Sequence, residues 1–190
     1  MLNIITAPNS VLSQSAKQIS KVDSNILKLI EEMKKTLLTA KDPEGVGLAA
    51  PQIGKSLQIF LAKPSLKSPT LTFINPKVTA NEKRPTANKL DVSSQKSEAI
   101  KLEGCLSLPN IWGEVKRDPK IKLQYQLITN NHKLITKTRT FSGFIAIIIQ
   151  HETDHLNGIL FPKRVLEQKG KLYKSRKNKK GEDVFEEIEL

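Results

Sequence analysis

GFIAIIIQHETDHLNG, residues 143–158, is the segment from which the fold prediction starts. It carries two histidines four residues apart, His151 and His155, with Glu152 beside the first. On a helix, positions four apart lie one above the other on the same face. Both imidazoles can then bind one metal ion while Glu152 faces its open coordination position. The pattern is typical of a water-activating metal centre.

The spacing of the two histidines also favours a helix over a strand. Three consecutive isoleucines precede Gln150, and β-branched runs of this kind are common in buried strands. On a strand, however, residues four apart lie about 13 Å from each other at roughly 3.3 Å per residue, too far for one ion. We therefore predict a central helix from Gly143 to about Asn157, with Gly158 as its stop.

The residues alone leave the third ligand of such a centre open. One group of metalloproteases has a third histidine six residues after the second, but Phe161 stands there. Another group uses a downstream glutamate, for which Glu167 is a candidate. The chain's one cysteine, Cys105, is a better candidate because a thiolate is a strong ligand for a divalent transition metal. A single cysteine is, however, also common as a small buried hydrophobe.

Three segments together closely resemble the ordered motifs of peptide deformylases. They are GVGLAAPQIG at 45–54, EGCLSLP at 103–109 and QHETDHLNG at 150–158, and the match spans roughly residues 2–166. The resemblance implies a metal site formed by Cys105, His151 and His155. In that family the site normally holds Fe²⁺ and accepts Ni²⁺, Co²⁺ or Zn²⁺. It also implies a reaction, removal of the formyl group from the N-terminal formyl-methionine of newly synthesised polypeptides.

The same resemblance implies roles for further residues. A divalent metal lowers the pKa of water from about 15.7 towards 7, and this water is expected to attack the formyl carbon. Glu152 is expected to act first as general base and then as general acid. The side-chain amide of Gln52 and the backbone N–H of Leu106 stabilise the oxyanion. Substrate contacts are expected at the motif positions Gly45, Gly47, Ile53 and Gly104. The glycines suit close approach of a peptide because they carry no Cβ.

A buried ion pair is predicted beside this centre. Asp154 lies on the helix between the two histidines, and a buried carboxylate there needs a cation. We expect Asp154 to pair with Arg117 rather than to bind the metal.

The rest of the chain predicts a single α+β domain, with antiparallel or mixed sheets packed around the central helix. A capped helix is expected from Asp23 or Ser24 to about Ala40. Strands are expected at 57–61, 71–74, 121–128 and 134–141. The catalytic domain is predicted to span 1–166, with a polar surface loop at 79–97, and residues 167–190 are expected to form a charged tail outside the core.

The formal net charge of +12 bears on partners and location. A basic surface attracts phosphate backbones without base specificity, so we expect no specific DNA binding, and the basic C-terminal region is the candidate for ribosome contact. The sequence shows no membrane-length apolar run and no signal peptide, which predicts a cytoplasmic location. The resemblance to peptide deformylases implies a bacterial enzyme that acts on N-formylmethionyl nascent peptides. Two alternatives stay open. One is a metallo-endopeptidase with Glu167 as third ligand, and the other is an inactive, ribosome-associated protein of the same fold.

Overall fold

The computed structural model describes residues 2–40, 44–81, 101–178 and 180–189. Within these ranges the chain forms three α-helices, nine strands and two short 3₁₀ turns. The helices are α1 (Ser24–Thr39), α2 (Phe144–Leu156) and α3 (Phe161–Glu167). The strands are β1 (Gly47–Ala49), β2 (Ile59–Ala62), β3 (Leu71–Asn81), β4 (Lys101–Cys105), β5 (Leu108–Val115), β6 (Lys120–Ile128), β7 (Leu134–Ser142), β8 (Leu172–Lys177) and β9 (Asp183–Ile188). The predicted α+β class is confirmed.

A five-stranded antiparallel sheet, in the order β1-β2-β3-β6-β7, forms one side of the molecule. In β6 the side chains of Ile121, Leu123 and Tyr125 are buried, whereas those of the alternating polar residues are exposed. This confirms the half-buried strand predicted there, because the period of two puts one set of side chains against the core. The predicted strand at 71–74 is longer than expected and continues to Asn81.

Helix α1 closes one side of this sheet. The Asp23 side chain accepts a hydrogen bond from the Ile26 N–H at 2.9 Å, so the predicted N-cap is present. The buried face of the helix includes Ile30, Met33 and Leu37, which belong to the same hydrophobic cluster as residues of β2. The helix ends at Thr39, as the sequence predicted to within one residue.

Helix α2 is the predicted central helix, with Gly143 as its N-cap and Asn157 as its C-cap. Gly158 follows with φ 70°, a conformation that favours glycine. A Cβ on Gly158 would also lie 2.6 Å from the carbonyl carbon of Ser13, so the N-terminal segment crosses closely over the end of the helix. Buried residues such as Ile148 and Ile149 pack the helix against β1 and β2.

The C-terminal residues form a hairpin rather than the predicted tail. The second sheet has the order β4-β5-β8-β9, so β8 and β9 extend the sheet that carries Cys105. Leu172 is buried in a cluster with Val165, and this apolar contact holds the segment to the domain. The expectation that all of 167–190 lies outside the core was therefore wrong. Because most residues of this hairpin are charged, its few buried apolar positions did not form a recognisable pattern in the sequence.

Two further predictions, the loop at 79–97 and the lack of a membrane span, can be compared with the structure only over the described residues. Residues 79–81 of the predicted loop belong to β3, and residues 82–97 lie outside the described residues. In the described parts of the chain, every helix is too short or too polar to cross a bilayer.

Candidate metal centre and active site

Three potential metal ligands converge where α2 passes the end of β4. The Sγ atom of Cys105 lies 3.2 Å from Nε2 of His155, and one ligand atom each from Cys105, His151 and His155 all fall within 4.8 Å of one another. Two ligands on a tetrahedral ion with bonds of about 2.0–2.3 Å stand roughly 3.5 Å apart, so this spacing fits one ion. One thiolate and two imidazoles are a donor set for a divalent transition metal rather than for Mg²⁺ or Ca²⁺.

The orientation of His151 is fixed by a residue that sequence reasoning missed. Nδ1 of His151 donates to Glu103 Oε2 at 3.1 Å, which leaves Nε2 with its lone pair available as a ligand. Burial alone raises the pKa of Glu103, but hydrogen bonds from His151 and Arg117 outweigh it and lower this pKa to about 2. Glu103 is therefore ionised at neutral pH. The signal in the sequence was its place in the motif, two residues before Cys105.

Arg117 joins Glu103 to the predicted partner Asp154. Its guanidinium donates two bonds to Glu103, at 2.8 and 2.9 Å, and one to Asp154 Oδ2 at 2.6 Å. The predicted Arg117–Asp154 pair is therefore present. Arg164 of α3 also donates to both oxygens of Asp154, at 3.0 and 2.7 Å, a contact that the sequence did not indicate. A continuous chain of charged groups thus runs from α3 through Arg117 to His151.

Glu152 lies beside the ligand cluster in a buried position. Its side chain is 3% exposed, and Oε2 has no hydrogen-bond partner among the described residues. Burial raises the pKa of Glu152 to about 7, although the neighbouring His151 opposes that shift. Gly47 makes room for the carboxylate, because a Cβ there would lie 2.2 Å from Glu152 Oε1. A carboxylate with this pKa can take up and release a proton near neutral pH.

Gln52 is held with its amide group towards the cluster. The Ala49 N–H donates to Gln52 Oε1 at 2.8 Å, which turns Nε2 to within 3.4 Å of both Cys105 Sγ and Ser107 Oγ. Gln52 is 1% exposed and belongs to the 3₁₀ turn Ala50–Ile53. Leu106 follows Cys105 in the turn between β4 and β5. Both predicted oxyanion donors thus lie next to the ligand cluster.

A cavity of about 300 Å³ opens onto these groups. Its lining includes the predicted residues Gly45, Gly47, Gln52, Gly104, Cys105, Leu106, His151 and Glu152. Its apolar wall, which the sequence did not reveal, is formed by Val46, Leu102, Trp112, Phe144, Ile147 and Ile148. These residues come from the segment before β1, from β4 and β5, and from α2, so only the fold brings them together.

Two residues considered from the sequence lie away from the cavity. Ile53, expected to contact substrate, is 6% exposed and packs in the core cluster that contains Ile30 of α1. Glu167, the alternative third ligand, pairs with Arg164 at 3.0 Å and is not part of the ligand cluster. Ile53, near the end of the first motif, is therefore part of the hydrophobic core. A metallo-endopeptidase site with Glu167 as the third ligand does not fit this geometry.

The comparison with known families agrees with this geometry. The polypeptide deformylase family matches residues 1–171. The chain belongs to this family. It is similar to peptide deformylase 1 of Bacillus cereus, with 37% identity over 165 residues, covering 87% of this chain and 92% of that protein. As a deformylase it is an enzyme that removes the formyl group from formyl-methionine, and the family is metal-dependent.

Solved deformylase structures share the fold. The enzyme from Synechococcus elongatus, solved in complex with actinonin, is 34% identical with a TM-score of 0.68, covering 86% of this chain and 78% of that one. The enzyme from Thermotoga maritima is 33% identical with a TM-score of 0.66, covering 87% and 97%. The recognition made from three short motifs is therefore confirmed across most of the domain.

Proposed function

We propose that Cys105, His151 and His155 hold a single Fe²⁺ ion and that the surrounding residues deformylate N-formylmethionyl nascent peptides. The observation that carries the proposal is the convergence of one thiol and two imidazoles within 4.8 Å, beside a buried carboxylate oxygen that has no partner among the described residues. Burying such polar groups without a ligand is costly, so the cluster fits a bound cation. A divalent ion held by Cys105, His151 and His155 would supply Lewis-acid polarisation and would lower the pKa of water.

Glu152 is the proton carrier in this mechanism. Its carboxylate lies against Gly47, and Glu152 lines the cavity together with the ligands Cys105 and His151. Glu152 takes a proton from the attacking water and later donates it to the nitrogen of methionine. The bond between the formyl carbon and this nitrogen then breaks with a neutral amine, not an amide anion, as the leaving group. Burial raises the pKa of Glu152, which favours uptake of the proton from water by this carboxylate. No side chain needs to bond covalently to the substrate.

Gln52 and Leu106 stabilise the negative charge that develops on the formyl oxygen. The Gln52 amide is already oriented by the Ala49 N–H, so no rearrangement is needed during the reaction. The backbone N–H of Leu106 is the second donor, in the turn after Cys105. Loss of one such donor typically costs about 3–4 kcal/mol of transition-state stabilisation.

The cavity suits an apolar first residue. Phe144, Ile147 and Ile148 contribute apolar side chains to its wall, and Gly45 and Gly104 also line it. This arrangement supports methionine as the side chain bound behind the formyl group. Because formylated chains arise during translation, we place the enzyme in the bacterial cytoplasm.

Metal identity and activity can be tested together under anaerobic conditions. The purified enzyme is expected to contain about one iron per chain and to release formate from formyl-methionyl peptides. Glu152→Ala should retain the metal and lose most activity, whereas Cys105→Ala should lose the metal. Formate release by Glu152→Ala at the wild-type rate would overturn the proton-carrier role. Cleavage of internal peptide bonds, without formate release, would favour an endopeptidase instead.

A further inference from the structure

The Trp112 side chain connects the cavity to the C-terminal hairpin. Trp112 lies on β5, opposite Gly104 of β4 on one side and Tyr173 of β8 on the other. Its ring covers the α-carbon of Gly104, because a Cβ there would lie 2.9 Å from Cζ3 of the indole. The ring also lines the cavity that contains Glu152. The place of the indole therefore sets the shape of one wall.

Two residues of the hairpin hold this indole. The Nε1–H of Trp112 donates to Ser175 Oγ at 3.1 Å, and Ser175 is 9% exposed. The ring of Phe185 on β9 meets the indole edge-on, with centroids 5.7 Å apart and planes at 87°. Ser175 and Phe185 are themselves paired across β8 and β9. One contact constrains the N–H group of the indole, and the other constrains its aromatic ring by perpendicular packing.

We propose that the β8–β9 hairpin is a positioning element for substrate binding, and that Ser175 and Phe185 act by fixing Trp112 against Gly104. The inference rests on the proposed deformylase function and deepens it. The hairpin lies beyond residues 1–171, where the family match ends. Ser175 and Phe185 belong neither to the ligand cluster nor to the residues that line the cavity. The effect of the hairpin is therefore expected on peptide binding rather than on chemistry.

Single substitutions at Ser175 test the hydrogen bond. In the metal-loaded enzyme, Ser175→Ala should raise KM for formyl-methionyl peptides about 2- to 10-fold, the factor expected for one missing hydrogen bond, with kcat unchanged. Ser175→Thr keeps the hydroxyl and should restore the wild-type KM. A role limited to stability would instead lower the melting temperature without separating KM from kcat.

The indole itself provides a second readout, because Trp112 is the chain's one tryptophan. Its fluorescence reports directly on the cavity wall. Ser175→Ala and Phe185→Ala should each increase acrylamide quenching and shift the emission to longer wavelength. Val184→Ala is the matched control, since Val184 precedes Phe185 on β9 and its side chain points to the opposite face. It should leave quenching and KM at wild-type values.

The outcomes separate this inference from the proposed function. Wild-type KM and wild-type quenching in both Ser175→Ala and Phe185→Ala would overturn the positioning role while deformylation stands. If the wild-type enzyme released no formate, the proposed function would fail, yet the quenching comparison would still test whether the hairpin fixes Trp112. The inference would be supported if both KM and quenching rose in Ser175→Ala and Phe185→Ala but not in Val184→Ala.

Discussion

At the scale of single residues, the backbone of Gly47 packs closely against the carboxylate of Glu152. The sequence predicted that Gly47 lets a peptide approach, and Gly47 does line the cavity. The structure adds a second reason for this glycine, because the hypothetical Cβ would overlap Glu152 Oε1 at 2.2 Å. Only the tertiary contact between β1 and α2 reveals it, since the two residues are far apart in the chain.

Gly47→Ala is therefore expected to reduce activity by displacing the carboxylate. A misplacement near 1 Å can cost about 10²-fold in rate, so kcat should fall by roughly that factor. Bound metal should remain, because Glu152 is not one of the three ligands. Steady-state kinetics and metal analysis check both points. A variant with full kcat would show that Glu152 tolerates another position.

Arg117 carries a second prediction at this scale. Its guanidinium is buried between Glu103 and Asp154, with 7% of its side chain exposed. Removing one partner of a buried ion pair typically costs about 3–5 kcal/mol, and Glu103 would lose the cation that orients it towards His151. Arg117→Leu should therefore lower the free energy of unfolding and weaken metal retention.

Arg164→Leu is the matched control for Arg117→Leu. Arg164 also pairs with Asp154, but it does not contact Glu103 and its side chain is 31% exposed. Its loss should have a smaller effect on both quantities, which denaturant titration and metal analysis would show. Wild-type stability and metal content in Arg117→Leu would count against the role of this chain of charges.

At the scale of elements, apolar periodicity was enough to predict α1 and β6 from the sequence, whereas α2 was predicted as a helix from the spacing of its two histidines. Each has an apolar pattern or a ligand spacing that only one geometry satisfies. The hairpin of β8 and β9 was missed because its pattern is dominated by charge. Ion pairs join its two sides: Lys171, just before β8, pairs with Glu187 at 2.8 Å, and Lys177 pairs with Asp183 at 2.8 Å. In the sequence these charges formed a basic run and an acidic run, which suggested a tail.

Gly158 permits a test of how the end of α2 is fixed. Gly158 and Gly181 both have positive φ, 70° and 81°, but only Gly158 is crowded, with its Cβ position 2.6 Å from Ser13. Substituting alanine at either position should cost about 1 kcal/mol for the backbone conformation. Gly158→Ala should cost more than Gly181→Ala, because the N-terminal segment must move. Equal losses in thermal unfolding would show that Ser13 adapts freely.

At the scale of the whole molecule, the distribution of charge matters more than its sum. Lys171, Arg176 and Lys177 each pair with an acidic residue of the same hairpin, so basic and acidic groups of residues 167–190 lie side by side. The order of strands in the two sheets could not be read from local patterns either. Register and order depend on which apolar faces meet, and those contacts join residues distant in the chain.

Ribosome contact through residues 167–190 stays a prediction, and a charge-matched comparison tests it. If the hairpin binds ribosomal RNA, Lys174→Glu with Lys180→Glu should weaken co-sedimentation with ribosomes. The slope of log K against log salt should also fall by about 1 for each phosphate that the hairpin no longer neutralises. Lys77→Glu with Lys122→Glu makes the same change in net charge on exposed positions of the other sheet. An equal weakening in both double variants would indicate that net charge alone attracts the enzyme to the ribosome. Unchanged binding of the hairpin variant would exclude Lys174 and Lys180 as the residues that bind the RNA.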